Sequence, residues 1–304
     1  MRRKVVIDCD PGQDDAVALL LAFGEAERLD LRAITVVAGN VPLAWTTTNA
    51  RRVATLGGCT DVPIYAGCGR PLVNPLVTAE HVHGDSGLDG ADLPPATVDL
   101  SPGHAVDRII ELAHAEDGLA LCATGPLTNV AMALVKDPSI APKLSRIVLM
   151  GGAIGHGNVT PSAEFNIYVD PHAARVVFES GVPIVMLGLD VTEQVRPTAE
   201  RRARIREIGG EVGPIVADLL SFYAERAADG GALHDPVAVG YLLEPELFTG
   251  RDCFVEIVTE GPCAGRTVVD WRGRTGRPPN ARVIDTVDDE AFFSLLVESL
   301  ARVG

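Results

Sequence analysis

The chain has 304 residues, 47% hydrophobic and 22% charged, with a net charge of −15. This composition excludes a disordered chain and allows a large core, while the negative charge argues against nucleic-acid polymers and anionic membranes as partners and favours small neutral or cationic ligands or metal ions. No apolar run reaches the roughly 18 residues of a membrane helix, the basic start MRRK leads into no long apolar leader segment, and Cys9, Cys59, Cys68, Cys122, Cys253 and Cys263 show neither CxxC nor zinc spacing, so the expectation is a soluble cytoplasmic protein with free thiols.

In chain order, strand-like and helix-like segments alternate. Lys4–Cys9 is a short β-branched run predicted as a strand. Gln13–Phe23 follows with apolar residues at helical spacing, Ala16, Val17, Leu19, Leu20 and Phe23. Leu31–Val37 and Pro63–Ala66 read as strands on either side of a helix over Thr47–Leu56. Helices over Ala105–Ala115, Pro126–Val135 and Pro171–Glu179 precede strands at Leu119–Ala123, Arg146–Met150 and Ile184–Leu189. This alternation predicts a single α/β domain, residues 1–304, with a largely parallel central sheet flanked by helices. After helices predicted over Gly213–Ala228 and Pro236–Leu243 the pattern changes. Cys253–Glu260, Arg266–Trp271 and Ala281–Val287 are expected as antiparallel strands between Gly/Pro-rich turns, an additional β excursion near the C-terminus. A helix over Ala291–Arg302 closes the chain.

In open α/β sheets ligands bind outside the carboxyl ends of the strands. The loops there read DCDPGQDD, AGN, ATGPLTN, MGGAIGHGN with the following AEFN, and LDVTEQ. In the first, Asp8, Asp10, Asp14 and Asp15 fall within eight positions, between two apolar runs. Pro11-Gly12 ends the strand. Asp14 and Asp15 then occupy a first helical turn, where free amides and the helix dipole favour negative charge. Capping accounts for one or both of them but not for Asp10, because three convergent carboxylates repel one another. A divalent cation relieves that repulsion, and oxygen-only ligands favour Ca²⁺ or Mg²⁺ over zinc. Distant loops offer further oxygens: carbonyls around Thr124, and Asp235 beside His234 in LHDPVAV, where an N-cap followed by Pro is the plain alternative. A phosphatase of the Asp-x-Asp type opens similarly, but the crowded negative charge here repels a phosphate. A dinucleotide site needs a Gly-rich loop of amides, and this loop is acidic.

DCDPGQDDAVA resembles the N-terminal motif of the nucleoside hydrolases, the inosine-uridine-preferring type especially. TVVAGN, HVHGDSG, ATGPLTNVAMAL, IVLMGGA with GHGN and AEFNIYVDPHAA, LGLDVT and LHDPVAV resemble further family blocks in family order, from residue 5 to about residue 245. The resemblance implies hydrolysis of the N-glycosidic bond of ribonucleosides to ribose and free base, with Ca²⁺ at the pocket floor. Matched position by position, it implies carboxylate ligands at Asp10, Asp15 and Asp235 and a carbonyl ligand at Thr124. It further implies Asp10 as the general base toward a water, Asp14 as a ribose contact, and His234 as the acid that protonates the leaving base. Asn40, Met150, Asn158, Glu164 and Asn166 would complete the ribose pocket, with His83 facing the base. A homodimer or homotetramer is implied as well.

The chemistry is coherent beside the resemblance. N-glycoside cleavage passes through an oxocarbenium-like transition state, as for O-glycosides, and an acidic pocket stabilises that charge. A metal chelating a cis-diol favours ribose over deoxyribose, and the negative pocket disfavours nucleotides. Against this, Asn and Glu also serve as loop caps, and His83 also fits an ordinary loop histidine.

The chain departs from the family on the base side. Family members often carry aromatics just before the HDP block. Here SFYAERAADGGALHDP offers Phe222 and Tyr223, and Tyr223 reads equally as a base contact or as helix core. Purine, pyrimidine and broad preference stay open. A non-catalytic pentose or nucleoside sensor is the alternative from another class, and the retained Asp10 and His234 count against it. Asp8 has two readings, a partner behind the metal ligands or a strand-end residue ordering the turn.

Overall fold

The computed structural model describes residues 2–228 and 230–303. The first half contains β1 (Arg3–Cys9), α1 (Gln13–Gly24), β2 (Leu29–Val36), α2 (Leu43–Leu56), β3 (Ile64–Ala66), α3 (Glu80–His83), α4 (Ala105–Ala115), β4 (Ala120–Ala123), α5 (Thr128–Lys136) and β5 (Arg146–Met150). The second contains α6 (Phe165–Val169), α7 (Pro171–Phe178), β6 (Ile184–Leu187), α8 (Leu189–Thr192), α9 (Ala199–Arg206), α10 (Val212–Arg226) and α11 (Asp235–Leu243). β7 (Phe248–Cys253), β8 (Val255–Ile257), β9 (Thr267–Val269), β10 (Ala281–Val287) and α12 (Asp289–Leu300) complete the chain.

An eight-stranded sheet runs in the order β3-β2-β1-β4-β5-β6-β10-β7. All neighbours are parallel except β7, which pairs antiparallel with β10 at the edge. Val5–Cys9 of β1 are all buried, as a central parallel strand covered on both faces requires. One face carries a core built from α1, α2, α10, α11 and α12, the other a core built from α4, α5 and α7. α1 is buried continuously from Gln13 to Ala22 and packs against α11 and α12, so it is a central helix rather than an amphipathic surface one. The strand order reverses between β1 and β4. That switch point opens a crevice at the carboxyl ends of these two strands.

The C-terminal excursion is smaller than the sequence predicts. Among the described residues, β8 and β9 alone form a separate antiparallel pair. Ala281–Val287 instead joins the main sheet, parallel to β6. The predicted strand Cys253–Glu260 is broken at Phe254, where the Asn280 side chain accepts from Val255 N (2.8 Å) and donates to Val255 O (2.9 Å). This bracket ends the ladder and lets the chain leave the sheet. β7 (FTGRDC) has little apolar signal because it is an edge strand with Thr249, Arg251 and Asp252 exposed. α2 starts at Leu43, before the predicted Thr47, because Pro42 supplies the N-cap backbone while the exposed Trp45 breaks the apolar period. All six cysteines are free. Among the described residues, no helix is long and apolar enough to cross a membrane.

Candidate active site

The loops leaving β1, β2, β4, β5 and β6 converge on a cavity of about 490 Å³, within the range of small-molecule sites. A larger cleft of about 790 Å³ lies at the opposite end of the sheet, beside Arg146, Ile184 and Ala281, the first residues of β5, β6 and β10. Its Arg175, Arg277 and Arg282 are each paired with a carboxylate.

The floor of the first cavity is acidic. Asp10 follows the last residue of β1. Its Oδ2 accepts from the Asn40 backbone N–H at 2.7 Å, while its Oδ1 is buried without a hydrogen-bond partner. Gly39 and Gly125 press on this carboxylate from the loops after β2 and β4; a Cβ at either position would collide with its oxygens. The Asn40 amide donates to the Asp10 carbonyl at 3.1 Å and to Asp15 Oδ2 at 3.3 Å. Asp15 also accepts from Gly12 N–H (3.1 Å) and, through Oδ1, from the Thr124 hydroxyl (2.8 Å). The capping reading of Asp15 thus holds, since it reaches back to the residue before α1, but capping uses only one of its oxygens. Asp14, Asp15 and Asp235, all buried, each bring a carboxylate oxygen within 4.8 Å of the others.

Burial first, and repulsion from neighbouring carboxylates second, push these acids upward. Asp14 reaches about 6, and Asp10 and Asp235 rise well above the ordinary carboxylate range. Asp15 is raised by burial. Such a cluster fits a divalent cation: oxygen-only donors, three of them converging, and an orphaned oxygen on Asp10 beside them. The tight triad contains Asp14 where the resemblance implied Asp10. Asp10 is tied to it through Asn40, which donates to both Asp10 and Asp15.

Asp8 has a structural part. Its Oδ1 accepts from Thr35 Oγ1 on β2 (2.6 Å) and from the Asn129 amide on α5 (2.8 Å), and its carbonyl accepts from Thr124 N–H (2.8 Å). It joins three elements under the floor and leaves Oδ2 unpartnered. Burial raises it to about 7.

The walls come from other loops. His234 occupies the cap position of α11 without capping it, and its Nδ1 lies 2.7 Å from Thr192 Oγ1 on α8. Asp235, for which an N-cap is the plain alternative to a ligand role, is the first helical residue and belongs to the acidic triad. Glu164 caps α6, its oxygens accepting from the backbone N–H groups of Asn166 (2.8 Å), Gly152 (2.8 Å) and Ile167 (3.2 Å). Asn158 Oδ1 accepts from Phe165 N–H at 3.0 Å. The Asn166 amide donates to the Thr124 carbonyl (2.7 Å) and to the Met150 carbonyl (3.2 Å). A carbonyl has two lone pairs, so Thr124 keeps one for another partner. His83 on α3 stacks on Tyr223 of α10, centroids 5.3 Å apart at 20°. Burial, with His234 and His81 nearby, depresses His83 to about 3.

All the sequence-derived residues therefore meet at one place. Asp14, Asn40, Thr124, His234 and Asp235 line the lower cavity, Met150, Asn158, Glu164 and Asn166 one wall, and His83 and Tyr223 another, while Asp10 and Asp15 lie just beneath. Tyr223 is at once helix core and cavity wall. Phe222 is not a wall; it lies under Arg226 and against Gly90. Sequence reading missed Phe165, which lines the cavity from within the AEFN block, and Thr192, whose LDVTEQ loop was in view. It also missed Gln13, hidden among the aspartates of the first motif, whose amide holds His83.

Comparisons with known proteins agree. The model of the inosine-uridine preferring nucleoside hydrolase family matches residues 5–294. The pyrimidine-specific ribonucleoside hydrolase RihA of Escherichia coli O81 is 46% identical, over 99% of both chains. The pyrimidine-specific ribonucleoside hydrolase RihB of Escherichia coli O157:H7 is 44% identical over 98% of this chain and 96% of its own. A purine-preferring ribonucleoside hydrolase from Gardnerella vaginalis superposes with a TM-score of 0.91 at 33% identity, covering 98% of each chain. With a family match over nearly its whole length and an acidic cavity at the family's motif positions, this chain belongs to the inosine-uridine preferring nucleoside hydrolase family and is a nucleoside hydrolase.

Proposed function

We propose that the enzyme hydrolyses the N-glycosidic bond of ribonucleosides to ribose and free base, using a Ca²⁺ held by Asp10, Asp15, Asp235 and the Thr124 carbonyl. The observation that supports this reading is the buried cluster of Asp14, Asp15 and Asp235 at the floor of a cavity lined with Asn, Glu and His side chains, together with the unpartnered Asp10 oxygen. When bound, the cation would neutralise the cluster and lower the pKa of a nearby water. The other tasks fall to the chain. Asp10 takes a proton from the attacking water. Asp14 accepts from a ribose hydroxyl. The acidic floor stabilises positive charge on the sugar. His234, anchored by Thr192, hands a proton to the departing base. Asn40, Asn158, Glu164 and Asn166, with Met150 packing beside them, orient the ribose, and His83 and Tyr223 border the base.

Within that reaction, pyrimidine ribonucleosides are the favoured substrates. RihA and RihB, which match this chain over nearly their whole length, are both named as pyrimidine-specific. The test is ribose release from uridine, cytidine, inosine and adenosine with Ca²⁺ present. Turnover of uridine and cytidine with higher kcat/KM than of the purine nucleosides is expected. No ribose from any of the four would overturn the reaction; a purine preference would overturn only the base assignment.

A further inference from the structure

Gln13 is the first residue of α1 and is fully buried between the acidic floor and the base wall. Its amide Nε2 donates to two backbone carbonyls, His83 O at 2.9 Å and Asp89 O at 3.1 Å. Carbonyls only accept, so the amide nitrogen must be the atom facing them; the flipped amide would set its oxygen against two carbonyl oxygens. With the nitrogen fixed there, Gln13 Oε1 lies 2.6 Å from His83 Nδ1. An amide oxygen also only accepts, so the proton of the neutral imidazole sits on Nδ1. Gly12 permits this approach, since a Cβ at that position would overlap the imidazole ring at Nδ1 and Cε1.

The other ring nitrogen then has a defined character. His83 Nε2 carries a lone pair, makes no hydrogen bond among the described residues, and is not among the sealed, unpartnered buried atoms. His83 lines the cavity while Tyr223 covers the face of its ring. Burial strongly disfavours the imidazolium, so the site offers an acceptor rather than a donor.

We propose that Gln13 is a specificity-determining residue: it locks His83 in the tautomer whose Nε2 accepts a hydrogen bond, and the enzyme thereby selects bases that present an N–H to this wall. The proposal rests on the ribonucleoside reading above. Uracil in uridine has a single N–H, at N3, and N3-methyluridine has none.

The test compares kcat/KM for uridine and N3-methyluridine in the Ca²⁺-loaded full chain, wild type and Gln13→Met. Wild type should prefer uridine by about tenfold or more, the size of one net hydrogen bond. Gln13→Met fills the same space but offers Nδ1 no acceptor, which frees the proton to move to Nε2, and the preference should collapse. A mere clash with the added methyl group would persist in the variant. The ¹⁵N spectrum of His83 reads the tautomer directly, with Nδ1 protonated and Nε2 bare in wild type and the pattern reversed in Gln13→Met. Equal rates on the two substrates in wild type, an unchanged preference in folded Gln13→Met, or a wild-type His83 protonated at Nε2 would each overturn the proposal. If Gln13→Met fails to fold, the wild-type ¹⁵N spectrum still decides whether Nδ1 carries the proton. If wild type turns over no ribonucleoside at all, the reaction assignment fails instead, and the ¹⁵N pattern still reports on Gln13.

Discussion

At the scale of single residues, the active site separates groups that touch the reaction from groups that hold them. Asp10 offers a buried oxygen with no protein partner. Asp10→Asn keeps its size and removes the base, and kcat should fall by about 10²–10⁴-fold, the span of general base catalysis; steady-state kinetics on uridine would show it, and an unchanged kcat would remove Asp10 from that role. Thr192 is a positioning residue, because among the described residues its side chain reaches the chemistry through the hydrogen bond to His234. Thr192→Val should lower kcat by about tenfold with little change in KM, and Thr192→Ser should restore it. Asp10, Asp14 and Asp15 were legible because carboxylates crowd one motif between a strand end and a helix start, and His234 and Asp235 because the LHDPVAV block resembles the family's. Gln13 and Thr192 were not, since a neutral amide and a hydroxyl take their meaning from a partner distant in sequence, 70 residues away for Gln13 and 42 for Thr192.

Elements deliver these groups with the precision of backbone packing. β1 ends at Cys9, the Pro11-Gly12 turn follows, and α1 begins at Gln13, so strand end and helix start present Asp10, Asp14 and Asp15 from two sides of one corner. The corner is closed by glycines from neighbouring loops. Gly39→Ala or Gly125→Ala would drive a Cβ into the Asp10 carboxylate, because backbone on a rigid loop cannot retreat. Each substitution should cut kcat/KM by at least about tenfold while the protein stays folded, a consequence of displacing a reacting group by about 1 Å. Circular dichroism alongside the kinetics separates this from unfolding. The central strands and their helices were readable from apolar period, since burial on both faces leaves unbroken runs such as Val5–Ile7 and Leu119–Ala123. The edge was not. β7 carries exposed polar side chains, and the parallel partner of β10 is β6, almost a hundred residues earlier, a pairing that local pattern does not encode.

Across the whole molecule, the acidic floor sets how stability responds to pH and metal. Asp8 and Asp14 stand at about 7 and about 6 against the ordinary 3.8, with Asp10, Asp15 and Asp235 raised as well. A carboxyl raised by folding binds more protons folded than unfolded, so its contribution is lost as pH climbs from its unfolded value through its folded one. His83, lowered to about 3 from 6.5, acts the other way and costs stability as pH falls below its unfolded value, one group against five. Chelated protein should therefore melt at a lower temperature at about pH 8 than at about pH 5, and Ca²⁺ should raise the melting temperature most at the higher pH. Thermal unfolding with and without chelator checks this, and a Ca²⁺ effect independent of pH would contradict it. The most direct test of the central claim strips the purified chain of metal, adds Ca²⁺ stepwise, and follows ion bound and ribose released from uridine in the same samples. One ion per chain should bind, ribose release should rise in proportion to its occupancy, and Asp15→Asn and Asp235→Asn should lose both together. Undiminished ribose release from metal-free protein would contradict the account.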